Sequence, residues 1–369
     1  MLMATSSTTT SPRNSIGCLP EKHRLRSLNN AGTLVNRLGI IVNPMSGRDV
    51  RRVAAKASIS AHHDKQQQLT RLVLGALAHG VDEIYLANEP FRINVGAVEN
   101  LPDRNKVKIL DFPLTHSDKD TALVTTKMWD EGCRVFIVLG GDGTNRIVAK
   151  TRPDAIVLPL STGTNNVFPL LMEASVAGAA AGLIASKRLK FENHCLRCKQ
   201  LHISINGAIK DVAMIDAVLL KDDALGSLLP FAPEKLSQLF LTRADPASVG
   251  MSPIGGYLIP CSAEDNFGVR ISCDQIEQNQ SVRVPISPGL YGDVPISDVE
   301  KMEIGQTYQC QAPGILAFDG DRSIAVTEDD LVEITIRRDG PWIIDPAKIM
   351  LIAAQHGLLV SPVASSPSR

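Results

Sequence analysis

The chain lacks the features that mark several large protein classes. No uninterrupted apolar run approaches the roughly 18 residues a membrane helix needs, so no membrane span is expected. Neither charge sign dominates: 38 basic residues stand against 39 acidic ones, a formal net charge of −1. That balance gives no electrostatic basis for coating a nucleic acid. No G-x-x-x-x-G-K-[ST] occurs and no G-x-G-x-x-G follows the first strand, which removes the P-loop and dinucleotide fingerprints. Neither G-x-S-x-G nor H-E-x-x-H appears. The 7 cysteines are scattered and odd in number. That usage suits free thiols in a reducing, cytoplasmic setting better than a disulfide framework. His194-Cys195 with Cys198 forms a lone C-x-x-C without the second ligand pair that structural zinc needs. These read as packing thiols, and no metal site is expected.

What is present is a globular composition, 44% hydrophobic and 21% charged over 369 residues, long enough for two domains. Residues 1–37 are rich in Ser and Thr and carry Arg13, Lys22, Arg24, Arg26 and Arg37 against one acid, Glu21. They have no apolar core of secretory length and read as a disordered extension, an organelle presequence being the minority reading. The rest divides into an α/β lobe over 38–187, a β-rich lobe over 188–338 and a closing segment with a tail over 339–369.

In the first lobe, short apolar runs such as Leu38-Gly-Ile-Ile-Val42 and Val135-Phe-Ile-Val-Leu139 alternate with helical stretches near 65–78, 117–131 and 174–186. Nearly all-apolar strands separated by helices predict a parallel sheet covered on both faces. Such sheets bind ligands beyond the carboxyl ends of their strands. After residue 186, segments at 201–206, 211–220, 268–273, 281–286, 315–318 and 331–336 read as strands separated by turns, which predicts an antiparallel sheet or sandwich. Residues 346–356 read as a closing helix.

The strongest motif is Gly140-Gly-Asp-Gly-Thr144, directly after a buried strand. Glycines let backbone N–H groups approach an anion closely, as they do at nests and helix amino termini. Thr144 can cap the next helix or donate to a phosphate oxygen, and Asp142 is the one carboxylate among those amides. It can orient an attacking hydroxyl or hold Mg²⁺; the plain alternative is a tight turn closed by an Asx-type bond. Pro159-Leu-Ser-Thr-Gly-Thr-Asn-Asn166 concentrates hydroxyls and amides suited to ribose and phosphate. Ala317-Phe-Asp-Gly-Asp321 presents two acids around a glycine, or a simple hairpin turn.

Ile41-Val-Asn-Pro44, Gly140-Gly-Asp-Gly-Thr144 and Gly163-Thr-Asn-Asn166 together resemble the ATP-NAD kinase superfamily. Asn43-Pro-Met-Ser-Gly-Arg-Asp-Val-Arg-Arg52 and Leu160-Ser-Thr-Gly-Thr-Asn-Asn-Val-Phe-Pro169 bring the chain closest to the acetoin catabolism protein X group within it. The resemblance implies a two-lobed fold of the NAD kinase and diacylglycerol kinase type, a parallel α/β lobe followed by a β-sandwich lobe. It implies ATP with Mg²⁺ as donor, NAD as substrate, and an alcohol-directed phosphotransferase making NADP(H). Alternatives are a kinase of a lipid or small alcohol, or a non-catalytic nucleotide-binding accessory or sensor protein linked to acetoin catabolism. By the same resemblance Asp142 and Asp319 are the catalytic residues. Asn43, Gly140, Gly141, Gly143, Thr144, Asn145, Thr162, Gly163, Thr164, Asn165, Asn166 and Asp216 hold nucleotide. The resemblance also implies small-molecule nucleotides as partners and a homo-oligomer. Two departures concern the acceptor. Ile215 stands where the family has the asparagine of an Asn-Glu pair, and Ser252-Pro-Ile-Gly-Gly-Tyr257 is a shortened form of the family's hydroxyl-rich S-P-T-G-S-T-A-Y element.

Overall fold

The computed structural model describes residues 35–47, 61–162, 166–227, 231–273 and 280–360. Strands with no polar alternate must be covered on both faces, and these are. Strands β1 (Arg37–Val42), β2 (Glu83–Ala87), β3 (Val107–Leu110), β4 (Val135–Leu139) and β5 (Ile156–Leu160) lie parallel in the order β3-β2-β1-β4-β5. Helices α1 (His62–Ala78), α2 (Ile93–Val98), α3 (Lys119–Asp130), α4 (Asp142–Thr151) and α5 (Ala174–Ala185) alternate with them. Leu38, Ile40 and Ile137 share one core with Leu69 and Leu72 of α1 and Ala177 and Ala181 of α5. The alternate residues Ile41, Phe136 and Val138 meet Val124 and Met128 of α3 and Val148 of α4 on the other face.

Helix α5 is rich in Ala and Gly because α1 crosses it with almost no side-chain spacer. A Cβ on Gly178 would lie 2.2 Å from the carbonyl oxygen of Leu72, and one on Gly75 would lie 2.3 Å from that of Ser175. Neither obstacle is a flexible side chain, so the helices would have to separate. We expect Gly178→Ala to lower unfolding free energy by about 3 kcal/mol, the upper end of ordinary overpacking. Urea titration of both proteins measures it, and a loss near zero would mean the crossing yields freely.

After a short strand β6 (Leu196–Arg197), the second lobe is built from strands β7 (Gln200–Ile205), β8 (Ala208–Ala213), β9 (Asp216–Leu220), β10 (Leu236–Leu241), β11 (Phe267–Ser272) and β12 (Gln280–Ser287). It continues through β13 (Leu290–Ile296), β14 (Asp298–Glu303), β15 (Thr307–Cys310), β16 (Gly314–Phe318), β17 (Asp321–Val326) and β18 (Val332–Arg337). A six-stranded antiparallel sheet runs β14-β11-β10-β9-β16-β17 and a four-stranded one runs β15-β18-β7-β8. Period-two residues such as Leu201, Ile203, Ile334 and Ile336 face Leu219, Phe240 and Leu316 between the sheets. The opposite face of the larger sheet is covered by the β12–β13 hairpin and by a short helix carrying Ile254. The α/β-plus-sandwich class is as expected.

Three local differences matter. The expected strand over 211–220 is divided, because the amides of Met214 and Ile215 turn to the Asp319 carboxylate instead of continuing a ladder. The expected helix after Thr144 begins earlier, at Asp142. Finally, β19 (Trp342–Ile343) returns to the first sheet, parallel beside β5, with β6 antiparallel on its far side. The helix Pro346–Gln355 then buries Ile349 and Ala353 in the first core. From Asn36 onward the chain forms one unit.

Candidate functional site

Adjacent strands β1, β4 and β5 end side by side and deliver the loops that begin at Asn43, Gly140 and Ser161. Side chains then stitch these loops together. The Asn43 carboxamide oxygen accepts from the amides of Met45 and Ser46, an Asx turn, while its Nδ2 donates to Thr144 Oγ1 at 2.8 Å. The hydroxyls of Ser46 and Thr162 are 2.8 Å apart, and Asn166 Nδ2 donates to Ser161 Oγ at 2.8 Å. Gly163, Thr164 and Asn165 lie outside the described residues.

The glycine motif is shaped by close approach. A Cβ on Gly140 would meet the Thr144 side chain at 2.8 Å, and one on Gly141 would meet Asn166 Oδ1 at 2.9 Å. Gly141 is the N-cap of α4 and supplies no side-chain cap, and Thr144, spent on Asn43, supplies none either. Gly141, Asp142, Gly143 and Thr144 line the cavity between the lobes, so the positive end of the α4 dipole faces it. This cradle fits the phosphates of a nucleotide. Asn145 is turned inward, its Nδ2 donating to the Gly141 carbonyl. No chelate exists for a divalent ion: among the described residues no three His, Cys, Asp or Glu side chains are placed to hold one.

Asp142 is half-buried in the wall of that cavity, and its two oxygens accept from the amides of Val167 (3.1 Å) and Phe168 (3.0 Å). Burial, reinforced by the charge of Asp319, pushes its carboxyl up to about 7. Asp319 sits in the Asp319–Gly320 turn of the β16–β17 hairpin, both residues at positive φ (49° and 90°). Its oxygens accept from the amides of Met214 (2.9 Å), Ile215 (2.8 Å) and Asp216 (3.2 Å). Burial pushes Asp319 up to about 6 against the pull of Arg146 and those amides. Asp216, at the head of β9, is raised by burial and then by the charges of Asp319 and Asp142. Its Oδ1 is buried with no hydrogen-bond partner among the described residues. Of the coupled pair Asp216 and Asp319, Asp216 holds the proton, because Asp319 has the amides and the guanidinium.

Asp142, Asp216, Asp319, Asn43, Gly141, Gly143, Thr144 and Asn166 therefore meet at one cavity of about 890 Å³. Two cations outside the expected site residues also stand here. Arg146, one turn after Asp142, reaches Asp211 (3.5 Å), Asp321 (3.1 Å) and Asp319 (3.9 Å) on the β lobe. Lys65 is fully buried and its ammonium donates to the carbonyls of Asn43 (2.9 Å), Pro44 (2.6 Å) and Ser46 (2.6 Å). A signal was available for Lys65, since it shares the i, i+4, i+7 register of Leu69 and Leu72 on the buried face of α1. Replacing it by Met strands three carbonyls. We expect Lys65→Met to destabilise by about 2 kcal/mol in urea titration. A loss near zero would mean that water satisfies the three carbonyls.

The acceptor-side departures have structural counterparts. Ile215 is fully buried, packed with Ala149, Phe168 and Met214. Ser252 is buried too, its hydroxyl donating to the Arg243 carbonyl and accepting from the Asp245 amide. Cys195 and Cys198 are buried thiols pushed up by desolvation to about 12 and about 11, which suits packing.

A parallel sheet with a glycine motif at its strand ends, facing a β-sandwich across one cavity, defines a fold of the ATP-NAD kinase class. Residues 38–188 match the family described as ATP-NAD kinase N-terminal domain, and residues 199–339 the acetoin catabolism protein X C-terminal domain. Among solved structures, yeast NADH kinase complexed with NADH is similar with a TM-score of 0.50 and 11% identity, covering 90% of each chain, a likeness of fold. A putative diacylglycerol kinase from Bacillus anthracis is similar with a TM-score of 0.46 and 13% identity, over 85% of this chain and 99% of that one. In sequence, the chain is 32% identical over 337 residues to acetoin catabolism protein X of Cupriavidus necator, covering 88% of this chain and 94% of the relative. The chain belongs to the acetoin catabolism protein X family.

Proposed function

We propose that this protein is a phosphotransferase of the NAD kinase type, moving the γ-phosphoryl group of ATP to an alcohol held beside Asp142. The observation that carries this reading is the position of Asp142. It is a carboxylate with a pKa near neutrality, at the amino end of a helix, facing a cavity shared by both lobes. Asp142 accepts the proton of the acceptor hydroxyl as that oxygen attacks, and the leaving product is ADP. The amides of Gly141–Thr144 and the α4 dipole stabilise phosphate charge, and Asn43, Ser46 and Thr162 fix the loops that frame it. Mg²⁺, when bound, would neutralise charge on the ATP phosphates. Asp319, with its oxygens committed to three amides, positions Asp216 and the end of β9. We assign the protein to the reducing cytoplasm, in keeping with the buried free thiols of the described residues, and to a homo-oligomer on family resemblance.

NAD(H) is the acceptor that family membership suggests first. A small alcohol is the second reading, favoured by Ile215 facing the core and Ser252 being spent on backbone. Purified protein incubated with ATP, Mg²⁺ and NAD or NADH, with NADP(H) followed by a coupled dehydrogenase, separates the two. Asp142-dependent NADP(H) supports the dinucleotide. Without it, ADP release that depends on an added alcohol supports the second reading, and no alcohol-dependent release defeats the phosphotransferase altogether.

A further inference from the structure

Arg243 stands just past the end of β10, and the backbone around it is locked. Thr242 donates from its amide to the Ile215 carbonyl (2.8 Å) and from its hydroxyl to the Met214 carbonyl (2.6 Å). The buried Ser252 hydroxyl donates to the Arg243 carbonyl at 2.9 Å. Met214 and Ile215 also hold Asp319, so Arg243 is fixed relative to the acidic turn. Its half-buried side chain is spent differently. Among the described residues the guanidinium makes no hydrogen bond and no ion pair, and it lies 5.0 Å from the centroid of the Phe168 ring. Arg338 shows the contrast, its fork donating to the carbonyls of Arg197, Ala263, Glu264 and Asp265. Phe168 is 1% exposed, and its amide donates to Asp142 Oδ1 while that of Val167 donates to Oδ2. A ring pinned by a cation cannot swing without moving those amides.

We infer that Arg243 is a positioning residue for Asp142: stacked on Phe168 from the β lobe, it fixes the loop whose amides hold that carboxylate and sets a positive charge near it. The catalytic meaning of this role rests on the phosphotransferase reading. Planar guanidinium suits it, since it stacks flat on an aromatic face and keeps its charge at every working pH. Other charged groups surround Asp142. Asp319 and Asp321 come from the β16–β17 hairpin and Asp216 from β9, and Arg146 of α4 is spent on Asp211, Asp319 and Asp321. Burial and the charge of Asp319 disfavour ionisation of Asp142, while the amides of Phe168 and Val167 and the charge of Arg243 favour it. Arg243 makes no ion pair with Asp142, so its charge acts beyond contact distance and leaves both carboxylate oxygens to the amides.

The test uses the full chain with Arg243→Met and Arg243→Lys, each with and without Asp142→Asn. NADPH formation from ATP, Mg²⁺ and NADH is followed against pH. Arg243→Met should move the rising limb of the profile, near 7 in the wild type, upward by about half to one pH unit. It should also lower the plateau by about tenfold as the base loosens. Arg243→Lys keeps the charge and loses the flat stack, so its limb should return towards the wild-type position while the plateau stays reduced. An Arg243→Met limb that stays in place would overturn the inference, because packing alone lowers the plateau without moving the limb. Urea unfolding at pH 6 and pH 8 needs no substrate. Asp142 is mostly protonated at the first and mostly ionised at the second. Arg243→Met should therefore cost more stability at pH 8, and that excess should vanish in the Asp142→Asn background. Equal costs at both pH values, or an excess that persists without Asp142, would overturn the inference as well. The two readings fail separately. With no NADPH formed, the unfolding data alone decide on Arg243; Asp142-dependent turnover with an unmoved limb removes Arg243 and keeps the phosphotransferase.

Discussion

Asp142→Asn is expected to lower phosphoryl transfer by about a hundredfold to ten-thousandfold, the range a general base contributes, with ATP affinity changed by less than about threefold. The variant keeps the size of the side chain and one acceptor oxygen for the amides of Val167 and Phe168. It turns an N–H towards the other amide, so some loosening of 166–168 is unavoidable. A pH profile distinguishes that loosening from loss of the base. As the proposed base, Asp142 acts only when ionised, and burial with the nearby charge of Asp319 raises its carboxyl to about 7. The wild-type rate should therefore climb about tenfold per pH unit below 7 and level off above it, while the residual rate of the variant lacks that rise. Stability runs the other way. The unfolded carboxyl releases its proton near 3.8 and the folded one only near 7. The stabilisation is fully present below 3.8 and is lost as pH rises through 7. Asp142→Asn removes this slope, so its Tm relative to wild type should be higher at pH 8 than at pH 5. Equal loss of ATP binding and turnover, with both pH profiles parallel, would reduce Asp142 to a loop pin.

The same residue shows where sequence reading succeeds and where it stops. Val135-Phe-Ile-Val-Leu139 followed by glycines is a local pattern whose meaning does not depend on distant residues, so strand, motif and cleft edge were all legible. The Ala- and Gly-rich stretch before Ser186 read correctly as a packed helix, although its reason, contact of Gly178 with the Leu72 backbone, involves a segment some hundred residues earlier. The division of β8 from β9 was illegible, because the carboxylate that interrupts the strand comes from Asp319, far along the chain. Strand β10 is illegible for a different cause: Leu236-Ser-Gln-Leu-Phe-Leu241 is buried throughout and shows no period-two alternation. The return of Trp342–Ile343 to the first sheet follows from chain topology, which no local pattern carries. Motif spacing and family resemblance put Asp142, Asp216 and Asp319 on one candidate list. Their convergence, and the unpartnered oxygen of Asp216, exist only in the folded chain.

Arg146→Met should cost about 3–5 kcal/mol, the usual penalty for deleting one partner of a buried ionic group. Arg146 is one-tenth exposed and is placed by α4 between three carboxylates of the other lobe. Their weights differ. The Asp321 side chain is 44% exposed, so solvent screens that pair and it adds the least. Asp319 is wholly buried, and although its separation from Nε is 3.9 Å, Arg146 is the cation opposing its burial. Asp211 keeps a second partner, Lys150 at 3.0 Å, which softens its loss. Most of the penalty should therefore come through Asp319. Without Arg146, Asp319 titrates above its present value of about 6, so the amides of Met214, Ile215 and Asp216 lose a charged acceptor at a higher pH than in the wild type. Urea denaturation at pH 6 and pH 8 measures this. Adding Asp321→Asn to the variant should recover little stability, whereas adding Asp319→Asn should be much less costly than in the wild-type background, since the two groups form one network. Arg146→Lys keeps the charge but loses the fork that reaches three acceptors, and it should recover only part of the loss. A penalty for Arg146→Met below about 1 kcal/mol would put this contact on the level of an exposed ion pair. The two lobes would then be held across the cavity by packing, with the aspartates compensated from elsewhere.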